Sequence, residues 1–365
     1  MSFNLGIIGL PNAGKSTIFN ALTRAGAQTA GYPFTTIEPN SGVVTLPDDR
    51  LFEIAEITKP EKITPTSVEF VDVAGLVKGA SKGEGLGNQF LGHIRNLGAI
   101  LHVVRCFIDE NVAHPTGEIN PKSDIEVVET ELMLADLATL EKRISKVDKT
   151  AKSGDKESKE ALGVYLEVKE LLDSGKFVDN YIPKNERYKA IFDELNLLTQ
   201  KPVLFVANID EASIPDGNQF SKEVEKIAQE RNTPALIISG KIEEELLDLD
   251  NSERREYLRE VGLSETGLIQ VIRAGYKLLE LITFYTTVGT ELRAWSIPEG
   301  TPAQKAAGSI HSDMEKGFIK AEVISCEDLF QSGTEHKAKE EGRMRIEGKD
   351  YLVEDGDILR IKFNV

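Results

Sequence analysis

Apolar residues along this chain gather in short runs that break off at glycine or polar residues. Residues 4–9 read as a buried strand running into a glycine loop, and residues 15–24 have a composition suited to a helix. Further β-rich apolar runs fall at 67–73, 99–107, 202–207 and 235–239, and most lead straight into polar or glycine-containing segments. The pattern predicts a parallel sheet, with ligand loops at the C-terminal ends of its strands.

The texture changes between residues 115 and 200. Ile125, Val128, Leu132 and Ala135, then Leu137, Leu140, Ile144 and Val147, recur at three-and-four spacing, which predicts a long helix with an apolar seam. Ser153-Gly154-Asp155 interrupts the seam, and residues 162–172 can return antiparallel as the second arm of a helical hairpin. A third segment runs from about residue 281 to the end. Its β-rich stretches at 283–288, 319–324, 343–346, 351–353 and 358–363, set around Gly348 and Gly356, predict a small mixed α/β module.

Length and composition narrow the class. A chain of 365 residues, 40% hydrophobic and 28% charged, is expected to form two or three globular domains. No apolar run is long enough to cross a bilayer and the first residues lack the pattern of a signal peptide, so a cytoplasmic protein with no membrane partner is expected. Cys106 and Cys326, both inside apolar stretches, read as buried thiols rather than a disulfide or a metal site. The net charge of -17 argues against coating nucleic acid by bulk electrostatics, so DNA is not an expected partner and any RNA contact must be local. One place suits such a contact: residues 142–159 carry seven basic side chains against three acidic ones, a local charge of +4 at the hairpin tip. A solvated helix end explains the same run equally simply.

The chemistry concentrates near the N-terminus. Gly9-Leu10-Pro11-Asn12-Ala13-Gly14-Lys15-Ser16 matches the phosphate-binding loop in full, after a predicted strand and before a predicted helix. Its glycines permit the tight path, and the amides from Asn12, Ala13 and Gly14 through Thr17 can face phosphates. Lys15 supplies charge to the β- and γ-phosphates, and the Ser16 hydroxyl is a magnesium ligand. Asp72-Val73-Ala74-Gly75 ends the next predicted strand, where an enzyme of this kind needs a carboxylate for magnesium and a glycine amide for the γ-phosphate. Between the two lies Pro33-Phe34-Thr35-Thr36-Ile37-Glu38-Pro39; either threonine could close on the metal, and Thr36 is favoured.

Taken together, residues 9–17, Tyr32 to Asn40, Asp72 to Asn88 and Ala306 to Phe318 resemble the translation-factor-related GTPases, and more specifically the YchF or Obg-like ATPase family. The resemblance covers all three segments. It implies an α/β Ras-like P-loop domain (1–115 and 200–280), an inserted α-helical coiled-coil domain (116–199) and a C-terminal β-grasp TGS domain (281–365). It also implies ATP as substrate, the ribosome or ribosomal RNA as partner, and roles in translation and stress response. Asn208 and Ile209 match the family's base-binding segment, and Ser239-Gly240-Lys241 its last base-side loop.

Two departures from ordinary GTPases stand in the residues themselves. Guanine readers carry Asn-Lys-x-Asp after this strand, whereas here Asn208-Ile209-Asp210-Glu211 lacks the lysine and has Glu at the Asp position, which favours ATP. A shifted register using Asp210 would restore a guanine reader. The position that orients the attacking water in Ras-like enzymes holds Leu76, so hydrolysis is expected to be slow and completed by another polar group, a potassium ion or a partner. His114 is the favoured residue, with His93 and His102 as competitors, and each could equally be structural. Residues 79–87, rich in glycine, read as a switch. The expected catalytic set is Lys15, Gly75 and His114, and the metal set is Ser16, Thr36 and Asp72. A GTPase of the same fold, or a nucleotide-dependent binding module with little hydrolysis, are the alternatives.

Overall fold

The computed structural model describes residues 3–29, 40–73, 92, 94–115, 117–178 and 181–364, with the backbone alone for 26–29 and 251. The described chain forms two units. One comprises 3–25, 40–42 and the described residues of 69–270, and the other 26–29, 43–68 and 271–364. Residues 43–68, which the linear reading leaves with the nucleotide-binding segment, therefore belong to the second unit.

The first unit is built on a six-stranded sheet in the order β2-β4-β1-β5-β6-β7. These strands are β1 (Asn4–Ile8), β2 (Ser41–Thr45), β4 (Ser67–Asp72), β5 (Ala99–Cys106), β6 (Val203–Ile209) and β7 (Ala235–Ile238); β3 (Lys62–Thr64) belongs to the other sheet. Strand β1 runs parallel to both β4 and β5, and β5–β6 and β6–β7 are parallel too. Every residue of β1 and β5 is buried, as expected of central strands covered on both faces. Strands β1, β4, β5, β6 and β7 consequently end at one edge of the sheet, where the sequence places its chemistry. Helix Lys15–Thr29 follows β1 directly.

The insertion is a helical pair. Asn120 caps helix Pro121–Lys152 by accepting a hydrogen bond from the Ser123 amide, and proline at the first turn fits a position that needs no donor. Its 32 residues span about 48 Å. Gly154, at φ 103°, turns the chain, and Asp155 caps the return helix Lys156–Asp173. The apolar seam has two destinations. Val128, Leu132 and Ala135 pack with Ile8, Ile94 and Leu97 against the sheet, whereas Leu140 packs with Val164, Val168 and Leu172 of the return helix. Asp136, wholly buried between these halves, accepts from the Leu198 amide (3.0 Å), the Thr199 amide (2.8 Å) and the Thr199 hydroxyl (2.9 Å) and so fastens the long helix at its midpoint. No helix among the described residues is long and apolar enough to cross a membrane.

In the second unit a mixed sheet runs β11-β10-β12-β8-β9-β3. Its strands are β8 (Leu281–Val288), β9 (Glu291–Pro298), β10 (Phe318–Ser325), β11 (Arg345–Glu347) and β12 (Asp357–Phe363), with β3 parallel to β9 at one edge. The run at 351–353 is not a strand; Leu352 makes only an isolated bridge to Pro302, because Tyr351 and Val353 are used as inward-packing side chains of a loop. Both faces of the sheet are covered. Helix Ala303–Ile310 packs Ala303 and Ala306 onto Phe284, Ile297, Val323 and Leu359. On the other face helix Asp49–Thr58 sets Leu51 and Ile54 against Tyr285, Leu292 and Ile358. Arg50 pairs with Asp48 at 2.9 Å and with Asp355 at 2.7 Å, and the Tyr285 hydroxyl donates to Asp48. Cys106 and Cys326 are buried free thiols.

Helix Asp49–Thr58 and strand β3 are thus structural for the C-terminal region. Ile54→Ala is expected to cost about 2–5 kcal/mol by urea unfolding, and a fragment of residues 271–365 should fail to give a cooperative transition. A cooperative, monomeric fragment would show that the second face needs no cover.

Candidate functional site

The phosphate-binding loop takes its shape from three positive-φ residues, Gly9 (149°), Asn12 (64°) and Gly14 (92°). Two of these cannot carry a side chain for a second reason. A Cβ at Gly9 would lie 2.3 Å from the Val103 carbonyl oxygen of β5, and one at Gly14 would lie 2.0 Å from Asn208 Nδ2. The loop is therefore seated against neighbouring strands. Asn208, nearly fully buried, donates to the Ala13 carbonyl (3.0 Å) and accepts from the Gly240 amide (2.9 Å). One carboxamide thus ties the phosphate loop to the loop after β7. The Thr17 methyl lies against the same Gly240, so Thr17, Asn208, Ser239 and Gly240 converge behind the loop.

At the front stand the charged residues. Lys15 is 7% exposed, and its Nζ donates to the Leu10 carbonyl at 2.8 Å. Burial holds its ammonium below the usual lysine range, while the Asp72 carboxylate opposes that shift. The Ser16 hydroxyl donates to Asp72 Oδ2 at 3.2 Å, and Asp72 Oδ1 is buried with no hydrogen-bond partner among the described residues. A hydroxyl beside a carboxylate with an unused oxygen is a hard-oxygen pair of the kind magnesium selects. Thr36, Gly75, Leu76, His93 and the glycine-rich run 79–87 lie outside the described residues.

The histidine candidates separate. His102 is buried in β5 against the Phe205 ring, centroids 5.5 Å apart, and burial pushes its pKa down to about 3; it is a neutral core residue. The His114 segment does reach the phosphate loop, since Asn12 Nδ2 donates to the Ala113 carbonyl at 2.9 Å. The imidazole itself is turned inward, Nε2 standing 2.9 Å from Asp124 Oδ2, with both side chains about 95% buried. Burial raises the Asp124 pKa, opposed by His114 and Arg105.

Other expected residues take narrower roles. The Ile209 side chain is in the core with Ile125 and Val224, so only its backbone can face a base. Asp210 Oδ1 accepts from the Ser213 hydroxyl at 2.9 Å, within its own turn. Glu211, at the position of the guanine-reading Asp, pairs with Lys241 at 3.0 Å. Arg105 was missed by sequence reasoning, although a lone arginine in an apolar strand is a signal in itself. Its guanidinium donates to the carbonyls of Phe107, Asp109, Val112 and Ala113 and shapes the loop that carries His114.

Helix Gly240–Leu246, which follows β7, carries Glu243, whose Oε1 accepts from the Gly267 amide at 2.6 Å. Burial pushes its pKa up from 4.5 to about 7. The folded chain then holds a proton that the unfolded chain has released, so stability should fall as pH rises from about 4.5 to about 7, by at most roughly 3 kcal/mol. Urea midpoints at pH 5 and 7.5 check this, and Glu243→Gln should flatten the difference. Gly14→Ala and Asn208→Ala should each weaken nucleotide affinity at least tenfold in a fluorescence titration, because the first forces apart the contact that the second removes.

Comparison with known proteins agrees with this layout. Residues 4–130 match the family model described as "50S ribosome-binding GTPase", and residues 281–364 match a YchF GTPase C-terminal model described as a protein of unknown function. Proteins named "Ribosome-binding ATPase YchF" from Shigella flexneri and Bacillus subtilis are 50% and 47% identical, each aligned over the whole of both chains. The solved structure of the Schizosaccharomyces pombe YchF GTPase superposes with a TM-score of 0.90 at 34% identity, covering 99% of this chain and 98% of that one. The α/β Ras-like P-loop domain is thereby established, and the chain belongs to the YchF family.

Proposed function

We propose that this chain binds Mg-ATP at residues 9–17, hydrolyses it slowly, and acts as a nucleotide-dependent switch on the ribosome. The observation that carries the reading is the Lys15, Ser16 and Asp72 cluster at the mouth of the phosphate loop, with Asp72 Oδ1 unpartnered among the described residues. Lys15 would exchange its Leu10 carbonyl for β- and γ-phosphate oxygens. Ser16, Thr36 and Asp72 would hold magnesium, which when bound offsets the charge developing on the phosphates. The Gly75 amide would meet the γ-phosphate.

Leu76 cannot position water, which supports a slow intrinsic rate. His114 is assigned to orient the attacking water, and its ring must first leave Asp124 to do so. ATP is favoured because the position of the guanine-reading aspartate holds Glu211, a longer carboxylate whose Oε2 is paired with Lys241.

Support for the ribosome as partner comes from the names of the relatives and from the hairpin tip. There Lys142, Lys146, Lys149, Lys156 and Lys159 are exposed and make no ion pair among the described residues, whereas Arg143 donates to the Glu194 carbonyl. Exposed lysines of this kind suit a phosphate backbone. The helical pair fits a coiled-coil domain, and the mixed sheet with its parallel β8–β12 neighbours and crossing helix fits a TGS module of the β-grasp type.

Competition binding should give tighter dissociation constants for ATP than GTP, and phosphate release should rise when ribosomes and potassium are added. Changing Lys142, Lys146, Lys149 and Lys156 to Glu should weaken ribosome co-sedimentation at least tenfold. Undiminished co-sedimentation would remove the hairpin tip from the account.

A further inference from the structure

Strands β6 and β7 are parallel neighbours with Asn208 opposite Ile238, so the loops that follow them leave the sheet side by side. They are braced twice. The inner brace is the buried hydrogen bond from the Gly240 amide to Asn208 Oδ1, and the outer one is the ion pair between Lys241 Nζ and Glu211 Oε2. Lys241 also stands 3.9 Å from Glu245 one turn along its helix. Hydrogen bonding to Glu211 raises the Lys241 pKa, with Glu245 and Asp109 adding to it, so the ammonium is held charged among three carboxylates and touches Glu211 most closely.

We propose that Lys241 is a specificity-determining residue for the nucleobase, and that it acts by compensating Glu211. The inference rests on the ATP reading above and deepens it. Recognition of guanine at this position needs a carboxylate able to accept from both the ring N–H and the exocyclic amine. Replacing Asp by Glu does not abolish that acceptor; it only lengthens its stem by one methylene. What withdraws it is the neighbouring ammonium, which occupies one oxygen and cancels the charge that would favour guanine's two donors. Adenine presents an acceptor where guanine has its ring N–H, so a compensated carboxylate removes the repulsion against adenine as well. Asp210, in the same turn, has one carboxylate oxygen bonded to the Ser213 hydroxyl.

The test is the ratio of dissociation constants for fluorescent ATP and GTP analogues, measured on the full chain for wild type, Lys241→Met, Lys241→Arg, and Lys241→Met combined with Glu211→Gln. Both side chains are exposed, which limits the effect to a few-fold and leaves folding intact. Lys241→Met should shift the ratio toward GTP by about three- to fivefold, Lys241→Arg should leave it near wild type, and adding Glu211→Gln should cancel the shift. Raising potassium chloride to 0.5 M should narrow the wild-type ratio as the pair is screened. An unchanged ratio in Lys241→Met, or a shift that survives Glu211→Gln, overturns the role of Lys241. Wild type binding GTP more tightly than ATP would instead overturn the ATP reading, and the change on removing Lys241 would still report on this residue.

Discussion

A single buried carboxamide holds the nucleotide face together. Asn208 gives its donor to Ala13 and its acceptor to Gly240, so the backbone of the Gly9–Ser16 loop and the backbone that follows β7 share one link. The arrangement works because β1 and β6 are both parallel strands ending at the same sheet edge, and because Gly14 leaves no Cβ to push the amide away. A buried amide with both groups satisfied contributes modestly to stability, but losing it would strand a carbonyl and an N–H without water.

Around that link the chain places its charges sparingly. Lys15 is desolvated and faces Asp72, and the resulting field is strong because water is largely excluded. The region beyond β5 is held by a different logic. Arg105 takes four carbonyl acceptors and leaves the Ala113 carbonyl also accepting from Asn12, while His114 rests on Asp124 in the first turn of the long helix. The phosphate loop and the helix that carries the basic tip are therefore linked through a short series of polar contacts within one unit.

The second unit shows a different dependence. Its sheet has apolar side chains on both faces, and residues 281–364 supply a helix layer for one face but only part of the cover for the other. Leu51 and Ile54 complete it, with Arg50 and Asp48 forming the polar seam beside Tyr285. These residues lie in sequence between the threonine-bearing segment 33–39 and Asp72.

The sequence by itself determined what depends on contiguous residues. The phosphate loop is legible because its amides, glycines, lysine and serine must follow one another. The parallel strands are legible because central strands read as unbroken apolar runs, and the helical hairpin because its seam and its Ser153-Gly154-Asp155 break are local. Only the tertiary structure decided the rest. The helix Asp49–Thr58 looks like any amphipathic segment until Tyr285, more than two hundred residues away, gives it a partner. Tyr351 and Val353 read as a strand because inward packing and strand alternation look alike over three residues. Ile209 faces the core, His114 faces Asp124 and Glu211 faces Lys241 for the same reason: each orientation is set by a residue brought close by the fold, and no periodicity records which distant side chain will arrive.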